Sequence, residues 1–221
     1  MISNRKMPFY IVLFACVLVV LGDLRNVISP LGYWVLWGMV FLVGIFSGGI
    51  EKTNYDVTFF GVTCGFAILV LALLISGLVN ADMYTAYQGL KFLMIYAILV
   101  VIYSNSQFLS MQQFYQIAAL STLVGFSVFL LCKYVFNDYY IVLGDGRQGS
   151  LFAYPGVLWK TNAFFVAFIV ARVLSSPLRK FIPAACILLS SVYLLLADSS
   201  RTGFLWFFGI IVMFAVLVFL V

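Results

Sequence analysis

VTFFGVTCGFAILVLALLISGLV, Val57 to Val79, followed by Asn80-Ala81-Asp82 and then MYTAYQGLKFLMIYAILVVIY, Met83 to Tyr103, decides the fold. The first run carries no charge over a length that crosses the roughly 30 Å hydrocarbon core of a bilayer. A short polar turn then sends the chain back as a second run of similar length. Lipid offers backbone N–H and C=O groups no partners, so a spanning segment must be a helix or part of a closed barrel. These runs are continuous rather than alternating. The pair reads as a transmembrane helical hairpin.

The same reading extends outward in both directions. Apolar runs at about Met7 to Leu24, Leu31 to Ile50, Phe114 to Phe136, Val157 to Val173, Phe181 to Ala197 and Gly203 to Val221 bring the expectation to about eight spans. Trp34 and Trp37 stand near the start of the second run as interfacial anchors. Composition agrees: 65% of the 221 residues are hydrophobic and 9% are charged, against about 25% charged in soluble domains. The fold class is therefore all-α, a polytopic transmembrane bundle forming a single domain over residues 1–221.

The N-terminal Arg5 and Lys6 precede the first run as in a signal peptide, but no small-x-small cleavage site follows, so that run reads as an uncleaved helix. LFAC, Leu13 to Cys16, is a poor lipoprotein box because of Phe14 and the apolar residues that continue past it. The last run stops at Val221 with no polar or basic flank, so the chain reads as the N-terminal part of a longer protein.

The net charge of +5 describes the lipid interface rather than a nucleic-acid-binding face. Cys16, Cys64, Cys132 and Cys186 each lie in an apolar run and read as buried thiols. With no histidine and no CxxC pair, no metal or cofactor is expected, and chemistry falls to carboxylates, hydroxyls, lysine and arginine.

With a cytoplasmic N-terminus, eight spans put Arg5, Lys6, Lys52, Arg172, Arg179 and Lys180 inside and Arg25, Lys91, Lys133, Arg147, Lys160 and Arg201 outside. The tie departs from the positive-inside rule. Outward cations that oppose sorting are candidates for holding an anion. Lys91, more than two turns into the fourth run, either snorkels or faces a polar cavity.

Two polar stretches lie on that outward face. The first is GDGRQGSLFAYPGVLWKTN, Gly144 to Asn162, the longest polar interruption, in which glycines flank Arg147 and Lys160 precedes the next run. It has no Walker spacing and no strand is expected before it, which excludes a nucleotide P-loop. The second is DSSRTG, Asp198 to Gly203, where Ser199 and Ser200 are expected N-caps and Arg201 stands in the first turn of a helix, against the dipole. An anion shared with the helix N-terminus would relieve that conflict, and so would an Asp198–Arg201 ion pair. Arg147, Arg201, Lys91 and Lys160 are thus the candidate substrate-binding residues, and no catalytic residue is identified.

RQGSLFAYPGVLWKTNAFFVAFIVAR, Arg147 to Arg172, with DSSRTGFL, Asp198 to Leu205, resembles the O-antigen ligase and O-antigen polymerase family of bacterial envelope enzymes. The resemblance implies about a dozen helices in the inner membrane. It also implies a glycan donor on undecaprenyl pyrophosphate, and metal-independent transfer of that glycan to an acceptor hydroxyl at the outer face. It further implies that outward arginines hold the pyrophosphate, which Arg147 and Arg201 match in type and placement. Ligase members carry a large outer loop with a required histidine, and this sequence has neither. A transporter or flippase of lipid-linked or anionic solutes, and a non-catalytic membrane subunit, are the alternative readings.

Overall fold

The computed structural model describes residues 6–47, 56–174, 178–199 and 201–220, with side chains for all of these except 58, 158–164, 178–181, 214, 215 and 217–220. The described chain is almost entirely helical. The helices are α1 (Met7–Val20), α2 (Arg25–Ile28), α3 (Pro30–Phe46), α4 (Val57–Val79), α5 (Met83–Ser106), α6 (Met111–Tyr134), α7 (Leu158–Leu174), α8 (Leu178–Asp198) and α9 (Arg201–Leu220). Between α6 and α7 lie a 3-10 turn, Asn137–Tyr139, and two short strands, β1 (Tyr140–Val142) and β2 (Gln148–Ser150).

Among the described residues, three helical stretches are long and apolar enough to cross a membrane: Phe59–Val79, Met83–Ser106 and Met111–Tyr134. The remaining apolar helical stretches are shorter, at 10–17 residues. The protein is a membrane protein with transmembrane helices. Along α4, Ile68, Leu71, Ile75 and Leu78 are exposed, as expected of side chains that meet hydrocarbon instead of a protein core.

Helix starts follow local chemistry. Asp56 Oδ1 accepts from Phe59 N at 2.7 Å and begins α4, and Asp82 Oδ1 accepts from Tyr84 N at 3.0 Å and begins α5. Asn80, Ala81 and Asp82 form the expected turn, with Ala81 at φ 51°. Ser110 and Gln113 make a capping box: Ser110 Oγ accepts from Gln113 N and Gln113 Oε1 accepts from Ser110 N. That box starts α6 at Met111, earlier than the expected Phe114.

The chain divides into two compact units, one of Met1–Ile11 and Trp37–Phe108, the other of Val12–Leu36 and Leu109–Val221. In the first, α4 and α5 pack closely because Gly77 has no side chain: a Cβ there would stand 2.5 Å from Ala86 N. Asn105, fully buried on α5, donates from Nδ2 to Val101 O at 2.8 Å and to Gly44 O at 3.3 Å, and its Oδ1 accepts from Ser47 Oγ at 2.7 Å. Every polar atom of that amide is engaged, as burial away from water demands. Of the polar residues Glu51 to Asp56 that separate the second and third apolar runs in the sequence, only Asp56 is among the described residues.

In the second unit, Val20, Ala118, Phe165 and Ile169 form one buried cluster, and Phe129, Ala153, Leu194 and Ala197 form another. Gly125 admits Val20 to the face of α6, since a Cβ there would lie 2.7 Å from Val20 Cγ1. Ala153 draws the segment after the strands into the second cluster, where α6 and α8 meet.

Candidate functional site

The polar interruption between α6 and α7 folds as an antiparallel hairpin with Tyr140 opposite Ser150, Ile141 opposite Gly149 and Val142 opposite Gln148. Tyr-Ile-Val favours an extended chain, and GDG supplies the turn. Leu143 N donates to Arg147 O and Gly146 N donates to Leu143 O, both at 2.9 Å, with Gly146 at φ 84°. This is the three-residue hairpin connection that requires a left-handed residue at its third position. Asp145 Oδ1 accepts from Arg147 N at 3.2 Å across the tip. The expectation of no strand before GDGRQGS is therefore corrected: β1 precedes it. It pairs antiparallel in a hairpin and feeds no phosphate-binding helix, so the exclusion of a P-loop stands.

Neighbouring residues at the start of the returning strand project to opposite sides. Arg147 reaches the end of α8: Nη2 donates to Asp198 Oδ1 at 2.8 Å and Nε donates to Asp198 O at 3.0 Å. The carboxylate is wholly buried and the guanidinium is 27% exposed, so the cation keeps a face toward solvent while its counter-charge has none. The bond to Asp198 O also satisfies a carbonyl at the negative end of the α8 dipole. Gln148 turns the other way, and its Oε1 accepts from Lys133 Nζ at 3.1 Å and from Tyr140 Oη at 2.6 Å.

The segment after β2 is held just as firmly. Gly156 N donates to Asp198 Oδ1 at 2.8 Å, and Gly156 adopts φ 101° with the site of a Cβ only 3.1 Å from Arg147 Nη2. The backbone conformation favours glycine there, and a Cβ would in addition press on the guanidinium. Gly149 is required by closeness alone, because a Cβ would stand 2.6 Å from Pro155 Cδ. On the far side, Asp23 Oδ2 accepts from Tyr154 N at 2.8 Å and Asp23 N donates to Phe152 O at 3.0 Å.

Of the predicted residues, Arg147 is brought to Asp198, three positions before Arg201, so the loop after α6 folds back on the junction of α8 and α9. Arg201 is exposed in the first turn of α9. The ion pair of Asp198 is made with Arg147 rather than with Arg201. Ser199 does not cap α9: at φ 49° its N–H donates to Leu195 O and its hydroxyl to Leu196 O, which closes the C-terminus of α8. Ser200 and the side chain of Lys160 lie outside the described residues.

Lys91 is half-buried on α5 in the first unit, with Nζ 4.5 Å from the centre of the Tyr87 ring. A recess of about 310 Å³ in that unit is lined by Thr63, Phe66, Ala67, Val70, Leu71, Leu93 and Tyr96, without Lys91. Sequence reasoning missed Asp23, Gln148 and Tyr193. The one available signal was a carboxylate, Asp23, directly after a long apolar run. Comparison with family models, curated proteins and solved structures finds no match to this chain.

Proposed function

We propose that this chain is the membrane-embedded part of a glycan-transfer enzyme resembling the O-antigen ligase and polymerase family. It would bind a glycan carried on undecaprenyl pyrophosphate at the outer face of the bacterial inner membrane and favour transfer to an acceptor hydroxyl. The observation that carries this reading is the Arg147–Asp198 contact across 51 positions, which lays the loop following α6 beside the turn that holds Arg201. Displacing a pyrophosphate from an anomeric carbon needs fixed donors that take up the leaving-group charge in a water-poor site.

Two of the five N–H donors of Arg147 go to Asp198, which orients the planar fork, and the others have no hydrogen-bond partner among the described residues. Because Asp198 already answers the Arg147 charge, Arg201 is assigned the larger share of the attraction for pyrophosphate. Lys160 and Lys91 are retained as further candidate contacts. The reading places about eight spans across the membrane with the N-terminus in the cytoplasm, and the chain as one part of a longer bundle.

The test is retention of undecaprenyl pyrophosphate against undecaprenol by the full chain in detergent. Selective retention of the pyrophosphate supports the reading. Equal retention of both leaves a surface that recognises only the isoprenoid and overturns it.

A further inference from the structure

Lys133 lies in the last turn of α6, at one end of a helix long enough to cross a bilayer. Its Nζ donates to Gln148 Oε1 at 3.1 Å and to Tyr193 Oη at 3.3 Å, and the rings of Phe129, Tyr134, Tyr140 and Tyr193 stand around it at 5.7 to 5.9 Å. All of these partners are neutral. Among the described residues no carboxylate forms an ion pair with Lys133, whereas Arg147 has Asp198 and Arg25 has Asp23.

The hydrogens can be counted. An ammonium only donates, so the Gln148 atom facing it is the carbonyl oxygen, and the amide nitrogen points elsewhere. The same oxygen lies 2.6 Å from Tyr140 Oη, so Tyr140 is the donor in that bond. Tyr193 Oη accepts from Lys133 and keeps its own hydrogen to give. The Gln148 carbonyl oxygen thus takes two hydrogens, while the third ammonium hydrogen, the Tyr193 hydroxyl hydrogen and the Gln148 amide hydrogens have no partner among the described residues.

A lysine that merely anchored a helix end would extend into water. Lys133 is instead turned back by two neutral acceptors and stays only partly exposed, with no counter-charge paired to it among the described residues. A fixed cation flanked by unspent donors is a receptor for an oxyanion. We propose that Lys133, Tyr193 and Gln148 bind a phosphate group, on the side of the hairpin away from Arg147. The exposed Tyr134, Val135 and Phe136 beside the cation suit the boundary between headgroup and acyl chain, so the source is a phospholipid headgroup. This site does not depend on the glycan-transfer reading.

The experiment titrates the full chain, in a detergent without phosphate, with short-chain phosphatidylglycerol and separately with inorganic phosphate, each followed by phosphorus NMR. The expected result is saturable broadening by the lipid, weakened about tenfold or more by Lys133→Met and by Tyr193→Phe, each of which removes a charge-assisted or neutral donor to phosphate. Saturation by inorganic phosphate but not by lipid supports the phosphate site and assigns its source to the free anion. No binding of either by the wild type overturns the site, as does wild-type affinity in both variants. Tyr193→Phe keeps the ring packed against Phe126 and Phe129, so it decides the matter if Lys133→Met fails to fold.

Discussion

Asp23 and Asp198 accept hydrogen bonds, each of 2.8 Å, from the backbone N–H groups of Tyr154 and Gly156, on either side of Pro155. Both carboxylates are buried, and they come from opposite ends of the chain: the turn after α1 and the last residue of α8. One short peptide is thereby clamped between the beginning and the end of the second unit, with Arg147 lying across its glycine. The clamp gives the hairpin a fixed position at the junction of α8 and α9.

Breaking the Arg147–Asp198 pair from the arginine side should be expensive. Arg147→Met leaves Asp198 wholly buried without its guanidinium and should cost about 3 kcal/mol, near the lower end for a broken buried pair because Arg147 is partly solvated. Adding Asp198→Asn to Arg147→Met should recover a large part of that loss. Denaturant unfolding in detergent checks both, and independent, additive losses would contradict the pairing.

Gly149→Ala and Gly156→Ala should each loosen the clamp by about 1–3 kcal/mol, the first through contact with Pro155 and the second through a left-handed φ and the nearby guanidinium. Protease cleavage or amide exchange within Ser150 to Val157 should rise in both. Gly144→Ala, where a Cβ would meet nothing, should change neither readout.

In the first unit, Asn105→Ala removes the donor to Gly44 O and the acceptor for Ser47 Oγ from a buried position. The unsatisfied partners should cost about 1–3 kcal/mol. Asn105→Asp should be worse, since it replaces the two-hydrogen donor with an acceptor facing two carbonyls. Thermal unfolding of the two variants orders them.

Asp82 caps α5 in the turn between two spans. The Thr85 hydroxyl first, and then the backbone N–H groups of Thr85 and Tyr84, hold its carboxyl below the ordinary range. A lowered folded-state pKa means that the charged cap contributes stability above the unfolded-state value of about 3.9, and that this contribution is lost as pH falls through the folded value. Asp82→Asn keeps a capping oxygen without the charge. Wild type should therefore exceed Asp82→Asn in melting temperature near neutral pH, and the gap should close in acid. A gap that persists or widens there would contradict the assignment.

The apolar runs were legible because lipid forces long uninterrupted helices, and α4, its turn and α5 fall where the residues alone place them. The hairpin was not legible as strands: three residues on each side are too few for an alternating pattern, and two of the three residues of β2 are glycine and serine, which carry little strand signal. Arg147 and Arg201 stood out as misplaced cations. That Asp198 belongs to Arg147 depends on contacts separated by 51 positions, which no local propensity encodes. Ser199 illustrates the same limit, since serine suits either cap and only the left-handed φ decides that it ends α8.

The most direct measurement is binding of undecaprenyl pyrophosphate to the full chain carrying Arg201→Ala, Arg147→Lys or both, with folding verified for each. Arg201→Ala should weaken binding about tenfold to hundredfold, Arg147→Lys should weaken it less by keeping charge while losing the planar fork, and the double variant should depart from the sum of the two. Wild-type affinity in the double variant would contradict a pyrophosphate site at the junction of α8 and α9.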